Sequence, residues 1–193
     1  TVANQGSGTT TLGANGGAAL PTFSGAITLA KDVTLDGTGN TDRLTFTGGI
    51  GGTGNVTIAG GTNRVVFVTA ANTYSGTTTV STNSILQLGT GGAATTNLIP
   101  DASVVTLNSG SFLKLAKGSN SETIGGLSGT GTVRGHEGVA STASALVINN
   151  SSDQDFNGVL ENGGATGSTL SLTKTGAGTQ TISGTSNSYT GNT

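Results

Sequence analysis

The chain has no cysteine, no methionine and no tryptophan, only 2 prolines and 1 histidine, and 8% charged residues, against about 25% charged in an ordinary globular domain. Each shortage excludes something. With seven basic residues scattered along the chain and a net charge of −2, there is no clustered Lys/Arg footprint for nucleic acid. Runs of helix-favouring Leu, Glu, Lys and Arg are missing, and so is a 3.6-residue apolar period, so helix content is expected to be near zero. No apolar stretch approaches the ~20 residues that span a bilayer, and no charged–apolar–small pattern opens the chain as a signal peptide would. A start at Thr1 implies processing or excision upstream. The absence of cysteine accords with a chain exported unfolded, which must avoid unwanted disulfides.

What is present is glycine, 35 residues of it, with threonine, serine, asparagine and valine. Disordered chains combine low hydrophobicity with high net charge, whereas here short apolar runs recur at regular intervals, as expected of an ordered chain. Ile27-Thr28-Leu29, Val33-Thr34-Leu35, Leu44-Thr45-Phe46 and Val56-Thr57-Ile58 alternate apolar and small polar residues, the period of a strand with one face inward. Val65–Val68, Ile85–Leu88, Val104–Leu107, Phe112–Leu115, Leu146–Ile148, Val159–Leu160 and Leu170–Leu172 continue the series. Between them lie Gly/Asn/Thr clusters that suit tight corners.

A motif repeats. Tyr74-Ser75-Gly76-Thr77-Thr78-Thr79-Val80 has a second copy if the end of the chain, Tyr189-Thr190-Gly191-Asn192-Thr193, is read into its start, Thr1-Val2. Each copy has a Gly-Thr-rich strand upstream, and each is followed by a Leu-Gly (Leu88-Gly89, Leu12-Gly13), then Gly-Gly-Ala-Ala (91–94, 16–19), then a proline (Pro100, Pro21). Residues 1–193 are expected to form one β-solenoid module, with related units over 44–107 and over 160–193 continued into 1–20. Repeats of this kind indicate solenoids or arrays, because each short strand buries only two or three side chains and must stack on its neighbours. A β-sandwich also has short strands at this spacing, but it would not explain a repeat that closes across the termini. The expected fold is all-β, a parallel β-helix as one elongated domain with open ends. About 20 residues per coil would give about ten coils and a rod of about 45–50 Å.

Leu172-Thr173-Lys174-Thr175-Gly176-Ala177-Gly178-Thr179-Gln180-Thr181-Ile182-Ser183-Gly184, with Asn187-Ser188-Tyr189-Thr190-Gly191, resembles the passenger-associated transport repeat of Gram-negative autotransporters, and so does 71–80. Residues 98–107 and 122–133 are similar to the spacer of those passengers. The resemblance implies a right-handed parallel β-helix exported to the bacterial cell surface or beyond, as a stalk, adhesin or filament component. It implies no particular ligand.

The residues with chemical potential form no catalytic set. Gly49-Ile50-Gly51-Gly52-Thr53-Gly54 satisfies G-x-G-x-x-G, but Val56-Thr57-Ile58 follows as a strand where a dinucleotide site needs a helix, so a turn is expected. His136, beside Arg134 and Glu137 and between Gly135 and Gly138, reads as an exposed loop. Asp32, Asp36, Asp42 and Arg43 are the nearest approach to the carboxylate cluster of a polysaccharide-cleaving β-helix, yet they flank a Gly turn where Asp is common. Asp153 and Asp155 share a face and suit a cation, without a calcium-binding nonapeptide around them. Thr9-Thr10-Thr11 and Thr77-Thr78-Thr79 suggest a water-ordering threonine array, although their spacing in sequence is irregular. Two sequons, Asn55-Val56-Thr57 and Asn150-Ser151-Ser152, fit glycosylation only by pattern.

The sequence therefore points to a non-enzymatic structural module of an extracellular fibre, with no catalytic residue, cofactor or metal. Thr1, Val2, Tyr189, Thr190, Gly191, Asn192 and Thr193 are the expected end-to-end edge, and Tyr74, Gly76, Thr78, Thr79 and Val80 the repeat motif. The expected partner is another copy of the chain, with cell-surface glycans or proteins as further candidates. A strand edge without charge, proline or cover invites such pairing.

Overall fold

A computed structural model describes residues 1–3, 10–13, 20–39, 42–68, 71–90, 97–115, 121–135 and 142–193. No helix occurs among them. The chain winds through three sides in repeating order, and every pairing is parallel. The first side is an eight-stranded sheet of Thr10–Gly13, Val33–Asp36, Val56–Ala59, Thr78–Val80, Val104–Leu107, Gly126–Gly129, Gln154–Phe156 and Gln180–Ile182. The second is a seven-stranded sheet from Thr22–Phe23 through Arg43–Phe46, Arg64–Phe67, Ile85–Leu88, Phe112–Leu115 and Thr132–Arg134 to Val159–Glu161. The third side is split: Ile27–Leu29, Ile50–Gly52 and Thr73–Tyr74 below, and Ser121–Ile124, Ala143–Asn149 and Thr169–Thr175 above. The result is a β-solenoid of about 6 turns.

The coils are longer and fewer than the expected ten of about 20 residues. Hydrogen bonds between successive coils join residues 20 to 29 apart in sequence, and eight stacked strands span about 34 Å at ~4.8 Å each. The strands are mostly two to four residues long, so much of each coil's length lies between them.

Alternation sets the core. On the first side Leu35, Ile58, Val80 and Leu107 stack in one inward column, all fully buried. On the second, Leu44, Val65, Leu86, Leu113, Val133 and Leu160 do the same. Burying each such side chain is worth about 1.5–3 kcal/mol, which no single coil could accumulate alone. Phe23 stacks on Phe46 with ring centroids 5.1 Å apart, and Phe46 meets Phe67 edge-on at 6.1 Å.

Two sequence readings change. Reading the chain's end into its start aligns Val2 with Val80, but Val2 bridges Leu29, on the line that runs through Gly52 to Tyr74. Thr10-Thr11-Leu12 lies instead on the line of Thr78-Thr79-Val80, through Val33 and Val56. A motif alignment counts residues, whereas the coil is in register by position around its circumference, and corners of unequal length separate the two. The threonines, irregular in sequence, are regular in space. Thr11, Thr34, Thr57, Thr79, Thr106 and Ser128 form one outward column, and Thr106 and Ser128 are hydrogen-bonded at 2.9 Å. The column is flanked by Asp36 and Ala59 on one side and by the ladder of Asp32, Asn55 and Thr77 on the other, as suits β-branched residues on an outer strand face.

Candidate functional site

The repeat motif sits where the third side is interrupted. Residues 97–102 form no strand there, and side chains supply the bonds that strand pairing supplies elsewhere. Asn72 is buried, and its Oδ1 accepts from Ile50 N at 2.8 Å in the coil below, while its Nδ2 donates to Leu98 O at 2.5 Å in the coil above. One amide thus ties three coils. From above, the buried Glu122 carboxylate accepts from Leu98 N at 3.0 Å and Ile99 N at 2.6 Å. Burial pushes the Glu122 carboxyl up to about 7, against the pull of those two N–H groups, and Asp101 nearby adds to the rise.

Tyr74 is 1% exposed, and its hydroxyl lies 2.6 Å from Thr78 Oγ1, which lies 2.9 Å from Ser103 Oγ. Ser103 Oγ donates to Gly76 O at 2.9 Å. Because a carbonyl only accepts, the chain of hydroxyls has one consistent direction, from Tyr74 through Thr78 and Ser103 to Gly76. Burial holds the Tyr74 phenol well above its usual range, which keeps it a donor. Gly76 is required by its neighbour, since a Cβ there would overlap the Gly54 carbonyl of the coil below. Thr79 points outward and Val80 inward.

The chain's last residues repeat the local bonds in an exposed setting. Tyr189 OH lies 2.7 Å from Thr193 Oγ1, the same four-residue reach. Asn187 Oδ1 accepts from Leu160 N at 2.8 Å, as Asn72 does from Ile50, but Asn187 Nδ2 turns back to Gly184 O at 2.7 Å. Thr190 N donates to Asn162 Oδ1, Gly191 N to Leu170 O, and Leu172 N to Asn192 O. At the other end Thr1 is exposed, while Val2 is 6% exposed, donating to Thr28 O and accepting from Ala30 N. The two groups expected at the end-to-end junction between copies lie at the two ends of the solenoid.

The remaining candidates have local bonds of their own. Gly49–Gly54 contains the strand Ile50–Gly52, followed by the strand Val56–Ala59. Asp32 Oδ1 accepts from Asn55 N and Nδ2, and Asn55 Oδ1 accepts from Thr77 N at 2.8 Å and Thr77 Oγ1 at 3.0 Å. This corner ladder holds the Asp32 carboxyl below its usual range, mainly through the Asn55 backbone N–H. Asp36 caps its own turn at Thr38 N, and Asp42 pairs with Arg64 and Arg43 on the second side. Asp153 accepts from Thr179 N, which lowers its carboxyl, and Asp155 from Ser183 Oγ. Among the described residues no group of three or more metal-ligating side chains occurs, and none of their helices could cross a membrane, since there are none. Sequon residue Asn150 is buried and Asn55 is held in its ladder. His136, Glu137 and the Gly-Gly-Ala-Ala stretches at 16–19 and 91–94 lie outside the described residues.

Sequence reasoning overlooked Glu122 and Ser103. The signal for Glu122 was its spacing of two from the inward Ile124, which puts a carboxylate on the core face. Compared with known protein families, curated proteins and solved structures, the chain matches none.

Proposed function

We propose that this chain is a non-catalytic structural module of an extracellular or cell-surface bacterial fibre, continued head to tail by further copies, either as a tandem repeat or as stacked subunits. The observation that carries this reading is the pair of asparagines. In the interior, Asn72 bonds the coil below and the coil above; in the last layer, Asn187 makes the lower bond and leaves the upper one unmade. A copy stacked above would give Asn187 the upper partner that Asn72 has in Leu98. A heterologous contact of this kind does not close on itself and generates filaments. The similarity of 172–191 and 71–80 to autotransporter passenger repeats supports export to the cell surface.

A second reading, an adhesin that binds a glycan or host protein, has one observation in its favour. On the outer face of the second side, half-buried Phe112 lies under the Arg134 guanidinium at 4.8 Å and near Lys114 Nζ at 5.5 Å, an aromatic–cation surface of the type used in recognition.

The test is negative-stain imaging of the native protein, paired with chain mass under denaturing conditions. Rods built of 18.6 kDa chains mean stacked subunits, and rods of chains at multiples of that mass mean a tandem repeat. Discrete single-chain particles would overturn the fibre reading and leave the adhesin.

A further inference from the structure

The apolar columns of the core end in half-covered side chains, and the two ends match. Five hydrophobic residues pack on the core while only partly buried: Leu12, Phe23, Ile27, Ile182 and Tyr189. The first three lie on the first strand of each of the three sides; Ile182 lies on the last strand of the first side. Leu12 and Ile182 terminate the same column. Strand register carries it from Leu12 through Leu35, Ile58, Val80, Leu107, Gly129 and Phe156 to Ile182.

Phe23 and Tyr189 are related in the same way on the second side. Phe23, Phe46, Phe67, Leu88 and Leu115 form one column. The neighbouring register Lys114–Arg134–Glu161 carries its level up to Asn162. Ser188 N donates to Leu160 O, which sets Ser188 over Glu161 and Tyr189 on the Phe23 line. Each end thus presents an aliphatic side chain on the first side and an aromatic one on the second, beside an unpaired strand edge.

We infer that successive copies join by parallel strand addition in a fixed rotational register, Thr10–Gly13 of one copy pairing with Gln180–Ile182 of the next. Leu12 then covers Ile182, and Phe23 stacks on Tyr189 as Phe46 stacks on Phe23 within a chain. The occupant of this edge is a second copy, because its first layer supplies the side chains that continue both columns at ordinary strand spacing. The junction is a β-augmentation, with affinity from main-chain bonds and register from the matched columns. The inference rests on the head-to-tail reading above and adds which residues meet.

The chain has no native cysteine, so a crosslink reports the register directly. Thr11 and Thr181 are exposed and belong to the outward column beside Leu12 and Ile182. Within one chain they are separated by the height of the sheet, about 34 Å. Across the inferred junction they are neighbours at ~4.8 Å, within the Cα separations a disulfide spans. The double variant Thr11→Cys/Thr181→Cys is oxidised and run on a non-reducing denaturing gel, alongside Thr11→Cys/Ser188→Cys as the out-of-register control and both preparations imaged. The expected result is a ladder of chain multiples for the first pair and only dimers, if any product, for the control. Rods with no ladder, or with equal ladders from both pairs, overturn the register and leave the head-to-tail reading intact. Neither rods nor a ladder overturns both.

Discussion

Asn72 and Asn187 make the same bond to the coil beneath them, each Oδ1 accepting a backbone N–H at 2.8 Å, from Ile50 and Leu160 respectively. They part company above. Asn72 Nδ2 reaches Leu98 O in the next coil, whereas Asn187 Nδ2 folds back to Gly184 O three residues away. Asn72→Ala is therefore expected to leave Ile50 N–H and Leu98 C=O buried and unpaired, a loss of about 2–4 kcal/mol. Asn187→Ala, with an exposed side chain, should cost under about 1 kcal/mol. Denaturant melts of the two variants check this; equal losses would mean that the three-coil bridge is not what holds the interrupted side.

Gly76 fills a position where the backbone of the coil below comes too close for any side chain. Gly76→Ala should cost about 1–3 kcal/mol through overpacking against the Gly54 carbonyl. Gly25→Ala, which meets nothing within 4 Å, serves as the control and should change the melting temperature little. A harmless Gly76→Ala would show that the corner has room to relax.

Val80 is fully buried in the column between Ile58 and Leu107. Val80→Asp places a carboxylate there with no partner, and the expected loss is several kcal/mol, enough to remove cooperative folding. Thr79→Asp, one residue away on the outer face, should be tolerated. Circular dichroism melts distinguish the two, and an unchanged melt for Val80→Asp would mean the inward face has been misassigned.

Glu122 makes stability depend on pH. Its folded pKa, about 7, lies above the ordinary 4.5, so its contribution is fully favourable below about pH 4.5. The advantage is lost as pH rises from there through 7, and is constant above it. The difference across this window is about 3 kcal/mol at most. Asp32 and Asp153, whose carboxyls are held low, act with the opposite sign and only at lower pH. The protein should melt higher at pH 5 than at pH 8, and Glu122→Gln should flatten that slope whatever it does to absolute stability. A wild-type slope identical to that of Glu122→Gln would show that the carboxyl is not titrating in the window.

Alternation was enough to find the strands that bury two or more apolar side chains, but not the glycine-rich ones: Ile50–Gly52 was expected as a turn, and Gly126–Gly129 has no alternating pattern. Val33-Thr34-Leu35, Leu86 with Leu88, and Leu113 with Leu115 are inward at every second residue in the sequence and in the solenoid, since a strand's side chains can only alternate. Glycine and asparagine between the runs marked corners for the same local reason. The size of the coil was not legible, because the sequence between the strands carries no periodic pattern that fixes its length.

What the sequence by itself determined is thus local: an all-β chain of short strands, the parity of its apolar strands, and a motif used twice. What only the tertiary structure decided is which residues come level with one another. It put Val2 beneath Leu29 and Thr10–Gly13 on the line of Val80, made a column from irregularly spaced threonines, and set Glu122 against the backbone of Leu98 and Ile99. Those relations depend on the accumulated length of every corner between two strands. Parallel stacking fixes them through hydrogen bonds between residues 20 to 29 apart, a separation at which no local pattern in the chain can speak.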